Sequence, residues 1–299
     1  MKKTLIAFLC FLIILLPAAS AFAEASSQTG EDGIRNVLII VSLDKKLPEN
    51  GKTYAMGNYL MVLDESNQVL KFISFPYNLA VTVPSDKGDV TKQLQFFGNE
   101  QGPEGMVEVL EANFGITIDR WLLTNMTGLS DLVDLVGGIE VDLPDLSINK
   151  KASDLKYMVD RPWQKVEEAG LQTLTGVQAM AYISDTYYDQ PTLSVEEARF
   201  RERHQVLIHG IVKGLRSFQL DTESLIEMIF GGMLSNYSTN VPMSGMLFTG
   251  RANFAACLPN DPLFLHIPQE IFTVKASNGW ESMGFTEEDV AAVREFTGN

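Results

Sequence analysis

The chain is poor in the residues on which many enzymes and metal-binding proteins rely. It has two cysteines and three histidines in 299 residues, too few for a disulfide framework or a four-cysteine zinc site. The histidines, His204, His209 and His266, lack the HExxH spacing of zinc proteases. The sequence also has no GxSxG elbow and no phosphate-binding loop of the GxxxxGK type. A histidine-rich metal enzyme and the common nucleophile and nucleotide motifs are therefore excluded.

Basic residues are scarce as well. Lysine and arginine total 23 against 38 aspartate and glutamate, for a formal net charge of -15. A nucleic-acid backbone requires a basic surface, and an anionic membrane attracts lysine and arginine. The charge therefore argues against a nucleic-acid binder and against electrostatic docking on an anionic membrane. Apolar residues make up 45% of the chain, which is enough for a sizeable core.

The N-terminal segment has the composition of a secretory signal. Two lysines precede an apolar run, and residues 21–23 (AFA) have the small-x-small form of a cleavage site. We predict a signal peptide over residues 1–23. An uncleaved membrane anchor is the alternative, because this stretch is close to the roughly 20 residues that span a bilayer. In both cases we expect an extracytoplasmic protein, secreted or anchored facing the cell envelope, in which Cys257 is a lone buried thiol.

The rest of the sequence favours a single α/β unit. Residues 24–34 are small and polar, as in a flexible lead-in. After them, apolar strands alternate with amphipathic helices, which indicates a layered α/β sheet. We predict strands over residues 36–43, 59–64, 70–75, 79–83, 121–124 and 139–143, and helices over residues 105–114, 129–136, 175–183, 194–215, 225–234 and 287–296. Residues 145–170 are polar and are expected to form a long loop with a small hairpin at most.

Five segments carry the most specific signal, because their order and spacing match one pattern. They are NVLIIVSLDKK from residue 36, SFPYN from 74, GITIDRWLLTNMTGLSDLVDLVGGIEV from 115, GLQTLTGVQAMAYISDT from 170 and ARFRERHQVL from 198. In the same order they are similar to NILLLGxDxR, SIPRD, a GIPIDYYV strand followed by a helix and GGVEV, GxQxLxGxxALAYxRxR, and GRxxRQQxVL. The chain from about residue 35 to 215 therefore resembles the LytR-CpsA-Psr family of cell-envelope proteins.

The resemblance implies a fold and a chemistry. The implied fold is a three-layer α/β/α sandwich with a mixed central sheet over residues 35–220, and residues 221–299 form a C-terminal extension packed on or following it. The implied activity is transfer of an anionic glycopolymer from a polyprenyl-pyrophosphate carrier to peptidoglycan. In that family the isoprenoid tail lies in an apolar tunnel beneath the sheet, arginines hold the pyrophosphate at the mouth, and aspartates there bind magnesium or act as base. Arginine suits this task because its planar fork binds phosphate oxygens in pairs.

The implied partners and cofactor follow from the same resemblance. We expect a polyprenyl-linked envelope ligand or glycopolymer as partner and no nucleic acid. Mg²⁺ is the implied cofactor. Membrane association is expected through the N-terminal segment or through the lipid ligand.

The chain departs from the family pattern at most positions of that mouth. Tyr77 and Asn78 stand in place of the arginine and aspartate of SIPRD, and Ser184 replaces the first arginine of AYxRxR. The aspartate of the first strand aligns with Leu43, although Asp44 is one residue away. Each lost charge-assisted contact costs on the order of 1.5–3 kcal/mol. Several such losses would largely abolish the grip on pyrophosphate.

Four basic residues are candidates for a replacement site. Arg199 is retained from the family pattern, and Arg203 lies one turn along the same helix face. Lys45 stands where the family often has arginine, and Lys92 begins the segment that corresponds to the family's KIN. A structural role is the alternative for each, such as an ion pair for Arg199 or a solvated side chain for Lys92. The candidate ligand-binding residues are thus Arg199, Arg203, Asp44, Lys45, Tyr77, Asn78, Lys92 and Ser184, with Asp44 also the candidate metal ligand; no catalytic residue is assigned.

Three functions are open on this evidence. The leading hypothesis is a divergent member of the family, a pseudoenzyme of envelope glycopolymer metabolism that binds a polyprenyl-linked ligand with weak or no phosphotransferase activity. The second is an active Mg²⁺-dependent phosphotransferase or polyprenyl-pyrophosphate pyrophosphatase with a relocated site. The third is a protein-interaction module that uses the acidic surface and residues 221–299. Whether the chain is an enzyme is left open by the sequence.

Overall fold

A computed structural model describes residues 34–84, 86, 88–184, 193–217, 233–240 and 256–298. The strands in these residues are β1 (Ile34–Ser42), β2 (Ala55–Asp64), β3 (Val69–Pro76), β4 (Ala80–Val83), β5 (Val90–Gln93), β6 (Arg120–Asn125), β7 (Ile139–Leu143), β8 (Gly170–Leu174), β9 (Tyr237–Thr239), β10 (Leu263–His266), β11 (Thr273–Lys275) and β12 (Glu281–Met283). The helices are α1 (Leu94–Gln101), α2 (Pro103–Phe114), α3 (Met126–Leu135), α4 (Ala152–Leu155), α5 (Gly176–Ser184), α6 (Leu193–Ser217) and α7 (Glu287–Thr297), with 3₁₀ turns at Ser147–Lys151 and Met233–Asn236.

The central sheet has six strands in the order β10-β3-β2-β1-β6-β9. β2 is antiparallel to β1 and β3, while β6 is parallel to β1 and β10 is parallel to β3, so the sheet is mixed. Strands β1, β3, β6 and β10 consequently run in one direction. Their last residues, Ser42, Pro76, Asn125 and His266, meet at one side of the sheet, which we call the carboxyl edge. In sheets of this kind, ligands bind beyond the carboxyl ends of the parallel strands.

Helices cover both faces of the sheet because its strands are apolar on both sides. β2 is buried over its whole length. On one face Leu38 and Leu60 belong to a core shared with α1, α2 and α7. On the other face Tyr59 and Met61 belong to a core shared with α3, α5 and α6. Each large apolar side chain buried in this way contributes about 1.5–3 kcal/mol. The predicted three-layer α/β/α sandwich with a mixed central sheet is confirmed.

Most predicted elements are present within a few residues of their predicted bounds. Helix α2 ends at Gly115, whose φ of 64° is the left-handed conformation that glycine adopts at helix ends. Residues 145–170 differ from the prediction, because they contain a 3₁₀ turn and the short helix α4 rather than a hairpin. A helix was predicted over residues 225–234, but residues 225–232 lie outside the described part of the chain. The 3₁₀ turn Met233–Asn236 follows them.

The C-terminal residues complete the sheet. β9 pairs with β6, from Leu122 with Thr239 to Thr124 with Tyr237. At the opposite side β10 pairs with β3 in parallel. Residues 221–299 therefore contain both strands that border the six-stranded sheet, together with α7.

The predicted signal segment 1–23 and most of the lead-in lie outside the described residues. Within the described part of the chain, no helix is both long enough and apolar enough to span a bilayer.

Candidate functional site: an apolar cavity and a polar edge

An apolar cavity of about 100 Å³ lies between the sheet and helices α3, α5 and α6. Because side chains alternate between the two faces of a strand, every second residue of β1 and β2 faces this side of the sheet. The lining residues are Ile39, Val41, Met56, Tyr59, Met61, Leu70, Phe72, Leu122, Thr124, Met126, Leu129, Leu132, Ile183, His204, Leu207, Ile208, Ile211, Val212, Leu215 and Tyr237. Walls of this composition favour hydrocarbon and disfavour charged groups.

The volume of the cavity is smaller than that of a long hydrocarbon chain. A dry cavity of roughly 150 Å³ holds one benzene molecule, so this one has room for only a few carbon atoms. Three methionines, Met56, Met61 and Met126, are among its lining residues. Methionine has three rotatable bonds and adapts to irregular spaces. A longer apolar ligand therefore requires these side chains to move aside.

One polar pair lies in the cavity wall. The Tyr59 hydroxyl is hydrogen-bonded to Nδ1 of His204, and the His204 ring stacks on Phe200 with 3.8 Å between ring centroids. Nε2 of His204 is buried and has no hydrogen-bond partner among the described residues. Burial lowers the pKa of His204 to about 3, with a smaller contribution from His266. The imidazole is therefore neutral at neutral pH and is a poor proton acceptor.

Asp44 lies at the carboxyl edge, immediately after β1. Its carboxylate accepts hydrogen bonds from the hydroxyls of Ser42, at 3.2 Å, and Thr53. Its backbone N–H donates to the Ser42 hydroxyl at 2.9 Å. These oxygens are hard ligands of the kind Mg²⁺ prefers, but one carboxylate needs further oxygens from water or substrate phosphate. Within the described ranges no group of three or more His, Cys, Asp or Glu side chains is placed to hold a metal, and Asp44 stays a predicted ligand.

The loop between β7 and β8 brings a second cation to the carboxyl edge. Lys45 Nζ lies 2.8 Å from the Asp160 carboxylate, and Arg161 Nη2 lies 2.5 Å from the Asp131 carboxylate. The Asn125 side chain donates to the Lys45 carbonyl oxygen at 3.1 Å. Burial raises the pKa of Asp131, and Arg161 opposes that shift. We call these residues, Lys45, Asn125, Asp131, Asp160 and Arg161, the edge cluster.

Only Lys45 of the edge cluster was among the sequence-predicted site residues. Asn125 directly follows the predicted strand 121–124, so its place at the end of a strand was an available signal. Asp131 lies in the first turns of α3, where its spacing resembles any solvated helix position. Arg161 lies in a long polar loop, and no local pattern relates it to the end of β1.

Arg199, Arg203 and Ser184 lie on the helices that cover the cavity. Arg199 is exposed on α6. Arg203 Nη1 donates to the carbonyl oxygen of Tyr182 at 2.6 Å, and its guanidinium lies over the Tyr182 ring. The Ser184 hydroxyl donates to the Met180 carbonyl oxygen within α5, at 2.7 Å. The contacts described for Arg203 and Ser184 are therefore structural ones.

Tyr77, Asn78 and Lys92 lie on the α1 side of the molecule. The half-buried Tyr77 follows β3, and its carbonyl oxygen accepts from the backbone N–H of Gln95 at 2.9 Å. Asn78 is buried, and its Oδ1 has no hydrogen-bond partner among the described residues. Lys92, on β5, forms a 2.9 Å ion pair with Glu100. The predicted residues thus form separate groups after β1, after β3, on β5 and on helices α5 and α6.

Comparison with known sequences shows which family the chain belongs to. A model of the LytR_cpsA_psr family matches residues 20–293. The chain belongs to the LytR-CpsA-Psr family. The match includes both strands that border the sheet and most of α7, so the LytR-CpsA-Psr similarity extends beyond the region of the five motifs.

Three curated relatives match the sequence of this LytR-CpsA-Psr protein at low sequence identity. Polyisoprenyl-teichoic acid--peptidoglycan teichoic acid transferase TagV of Bacillus subtilis is 27% identical, over 55% of this chain and 43% of its own length. The corresponding transferase TagU of Bacillus cereus is 24% identical, over 75% of this chain and 66% of its own length. Biofilm regulatory protein A of Streptococcus mutans is 29% identical, over 78% of this chain and 50% of its own length. The chain thus spans less than two thirds of the length of these curated relatives.

Solved structures share the LytR-CpsA-Psr fold. Protein gbs0355 from Streptococcus agalactiae superposes with a TM-score of 0.66 at 20% identity, covering 89% of this chain and 88% of that one. TagT bound to LI-WTA superposes with a TM-score of 0.64 at 16% identity, covering 95% of this chain and 99% of that one. At these identities the comparison shows the fold.

Proposed function

We propose that this LytR-CpsA-Psr protein acts in envelope glycopolymer metabolism, where it binds a polyprenyl-linked ligand and has weak or no phosphotransferase activity. The observation that carries the proposal is the apolar cavity beneath the sheet, whose lining side chains are apolar except for those of Thr124, His204 and two tyrosines. Relatives named as teichoic acid transferases and the fold shared with TagT bound to LI-WTA support an envelope role. The protein is then extracytoplasmic, held near the membrane by its ligand or by residues 1–23.

An apolar tail supplies most of the binding free energy in this proposal. Removing apolar surface from water contributes about 25 cal/mol per Å², and the cavity wall offers no charged group to a ligand. The cavity is lined by Val41, near the end of β1, and by Met126, which follows β6. A tail in the cavity would therefore place its phosphate end near the carboxyl edge.

We expect weak phosphotransferase activity because the cations at the carboxyl edge already form ion pairs with carboxylates of the protein. Lys45 is already paired with Asp160, and Arg161 with Asp131. A pyrophosphate must compete with these carboxylates before either cation can bind it. Phosphoryl transfer depends on stabilising the charge that develops on the phosphate oxygens. A site whose cations are neutralised by the protein supplies little of that stabilisation.

The second candidate function is an active Mg²⁺-dependent phosphotransferase or pyrophosphatase with a relocated site. The observation that favours it is the arrival of Arg161 at the edge where Lys45 lies, although the two are far apart in sequence. If both pairs open, two cations face one pyrophosphate. Asp44, helped by phosphate oxygens, would hold the magnesium ion, which supplies Lewis-acid charge.

The test is lipid binding to the full-length chain in a mild nonionic detergent, followed by native mass spectrometry. Polyprenol and polyprenyl pyrophosphate are compared with and without Mg²⁺, and we expect similar binding of both because the tail dominates. Ile208→Trp places a larger side chain in the cavity from α6. It should weaken the binding of both lipids by roughly tenfold or more, and tenfold corresponds to about 1.4 kcal/mol of binding free energy. His209→Trp adds the same side chain at an exposed position of α6 outside the cavity and should have no effect.

The other outcomes decide between the candidates. Binding of the pyrophosphate alone, strengthened by Mg²⁺ and lost in Lys45→Ala and Arg161→Ala, would contradict a weak site and favour the transferase. Absence of binding of either lipid would contradict the proposal and favour a protein-interaction role.

A further inference from the structure

One buried nitrogen atom in the wall of the cavity has no hydrogen-bond partner. His204, on α6, lines the cavity and is 5% exposed. Its Nδ1 is hydrogen-bonded to the Tyr59 hydroxyl, whereas its buried Nε2 has no partner among the described residues. Buried polar atoms without a partner are rare in native proteins, and each one requires an explanation. A molecule that enters the cavity and bonds to Nε2 would supply the missing partner.

The nitrogen lies inside the molecule, away from the carboxyl edge. Tyr59, to which His204 is bonded, pairs with Ile39, three residues before Ser42 at the end of β1. At about 3.3 Å per residue along a strand, Tyr59 is about 10 Å from the edge. The described lining of the cavity contains no Asp, Glu, Lys or Arg. A charged phosphate at this depth would be buried without a cation, which is strongly unfavourable. The group that bonds to His204 is therefore uncharged.

A water molecule alone is a poor partner for this nitrogen. A buried water needs two to four polar partners, and the other polar side chains of the described lining are already bonded. The Thr124 hydroxyl donates to the Asn236 carbonyl oxygen at 3.0 Å, and the Tyr237 hydroxyl donates to that of Gly128. The Tyr59 hydroxyl is bonded to the histidine ring itself. A molecule with one polar group on an apolar body fits this arrangement better than water does.

A hydroxyl group suits the nitrogen in either tautomer of the histidine. Burial lowers the pKa of His204 to about 3, so the ring is neutral and carries one proton, on Nδ1 or on Nε2. The Tyr59 hydroxyl can accept from Nδ1 or donate to it, so its hydrogen bond is compatible with both forms. An alcohol hydroxyl can likewise donate to Nε2 or accept from it. A carbonyl or ether oxygen only accepts, so it suits only one of the two forms.

The volume of the cavity limits the apolar part of such a molecule. It is about 100 Å³, whereas a dry cavity of roughly 150 Å³ holds one benzene molecule. A body of about five carbon atoms fits if Met56, Met61 and Met126 shift slightly, as flexible methionine side chains can. Transfer of this body from water to the apolar lining favours binding.

We propose that the cavity is a binding site for small neutral alcohols, whose apolar body fills it and whose hydroxyl bonds to Nε2 of His204. The site shares the cavity with the lipid tail of the proposed function, so the two ligands exclude each other. The inference depends on the cavity and the unpaired nitrogen, and it does not require that the protein bind a lipid.

The experiment titrates the full-length chain, in a mild nonionic detergent, with cyclopentanol and separately with cyclopentane. NMR of ¹³C-methyl-labelled methionine detects entry through Met56, Met61 and Met126, and we expect saturable shifts with both compounds. Tyr59→Phe/His204→Phe removes both polar groups together, so neither is left without its partner. This double variant should weaken cyclopentanol binding by roughly tenfold, because the alcohol then has no hydrogen-bond partner. It should leave cyclopentane binding unchanged.

His209→Phe is the matched control. His209 is exposed on the same helix and does not line the cavity, so this variant should bind both compounds as the unmodified chain does. A thermal melt checks that each variant is folded.

Three results would overturn the inference. They are the absence of saturable shifts with cyclopentanol, an unchanged affinity for cyclopentanol in the double variant, and an equal loss of both compounds in that variant. Lipid binding separates the inference from the proposed function, because polyprenyl pyrophosphate keeps its charged end at the carboxyl edge and should still bind to the double variant. Cyclopentanol binding without lipid binding contradicts the proposed function alone, and lipid binding without cyclopentanol binding contradicts this inference alone.

Discussion

His204 of α6 and His266 of β10 are both neutral and lie where α6 packs on the sheet. Burial lowers the pKa of His204 to about 3 and that of His266 to about 4. Gln205 Nε2 donates to Nε2 of His266 at 2.7 Å, so Nδ1 carries the proton and donates to Ser74 Oγ at 2.6 Å. A second proton on His266 would face the Gln205 amide hydrogens. His209, by contrast, is exposed on the same helix.

These lowered pKa values predict acid sensitivity. Below the ordinary histidine pKa of 6.5, the unfolded chain takes up protons that the folded chain does not. Stability is therefore complete above pH 6.5 and falls as the pH drops toward 4. His204 alone should cost roughly 2 kcal/mol of unfolding free energy by pH 5. Urea unfolding from pH 7.5 to 5 measures this.

Two variants identify the source of that slope. His204→Phe keeps the ring stack but removes the titrating group, so it should flatten the dependence on pH. His209→Gln should leave the dependence as it is. An unchanged slope in His204→Phe would show that other groups cause the acid sensitivity.

At the scale of elements, the sequence predicts the segments that determine their own conformation. β1 and β2 each contain a continuous apolar run, residues 37–41 and 59–63, a pattern typical of buried strands, and both strands were predicted. β9 and β10 have three and four residues, and they were missed. Their conformation depends on pairing with β6 and β3, which a local pattern does not contain.

The candidate site is less predictable than the fold, because its parts come from distant segments. Asp44 and Lys45 follow a predicted strand, so their place at a sheet edge could be predicted. Arg161 reaches the same edge from a loop whose path no motif specifies. Likewise, Phe96 of α1 contacts Trp280, which is distant in sequence, only after the β11-β12 hairpin has packed beside α1.

Two contacts hold the loop that carries Arg161 against helix α3. The Asp160 N–H donates to the Thr127 hydroxyl at 2.9 Å, and Arg161 neutralises the buried Asp131. Arg161→Ala leaves that carboxylate without its cation, so we expect a loss of about 1–3 kcal/mol in unfolding free energy at pH 7. The loss should shrink at pH 4, because a protonated Asp131 carries no charge.

Urea unfolding at the two pH values measures the effect of Arg161→Ala. Lys165→Ala is the matched control in the same loop, since Lys165 pairs with Glu167 in full solvent and should change stability by less than about 0.5 kcal/mol. Equal losses for the two variants would mean that the Arg161 pair contributes no more than a surface ion pair.

Helix α6 approaches β7 closely because of Gly210. A Cβ atom there would lie 2.7 Å from Cγ2 of Ile139. Alanine ordinarily stabilises a helix interior by about 1 kcal/mol relative to glycine, but we expect Gly210→Ala to destabilise the protein by about 1–3 kcal/mol through this overlap. Thermal unfolding measures it, with the exposed Lys213→Ala on the same helix as control. A more stable Gly210→Ala would show that α6 moves away from β7 without cost.

At the scale of the whole molecule, the net charge of -15 opposes every anionic ligand. Lys45 and Arg161 are the cations of the edge cluster, and each is paired with a carboxylate. Raising the salt concentration from 10 to 150 mM shortens the Debye length from about 30 Å to about 8 Å. We therefore expect polyprenyl pyrophosphate to associate faster at the higher salt concentration. Stopped-flow mixing measures the rate, with uncharged polyprenol as control. An association rate that falls as the salt concentration rises would show instead that Lys45 and Arg161 attract the pyrophosphate more strongly than the net negative charge repels it.

The borders of the central sheet also determine when the protein can complete its fold. β6 ends at Asn125, but β9 and β10 lie after residue 236. At 5–20 residues per second, a ribosome needs on the order of ten seconds to synthesise the stretch between β6 and β10. Until β9 is synthesised, β6 and β3 both have unpaired backbone groups, and β3 keeps them until β10 follows; such groups are templates for pairing with other chains. The edge of β3 therefore stays open to pairing with other chains until β10 is synthesised.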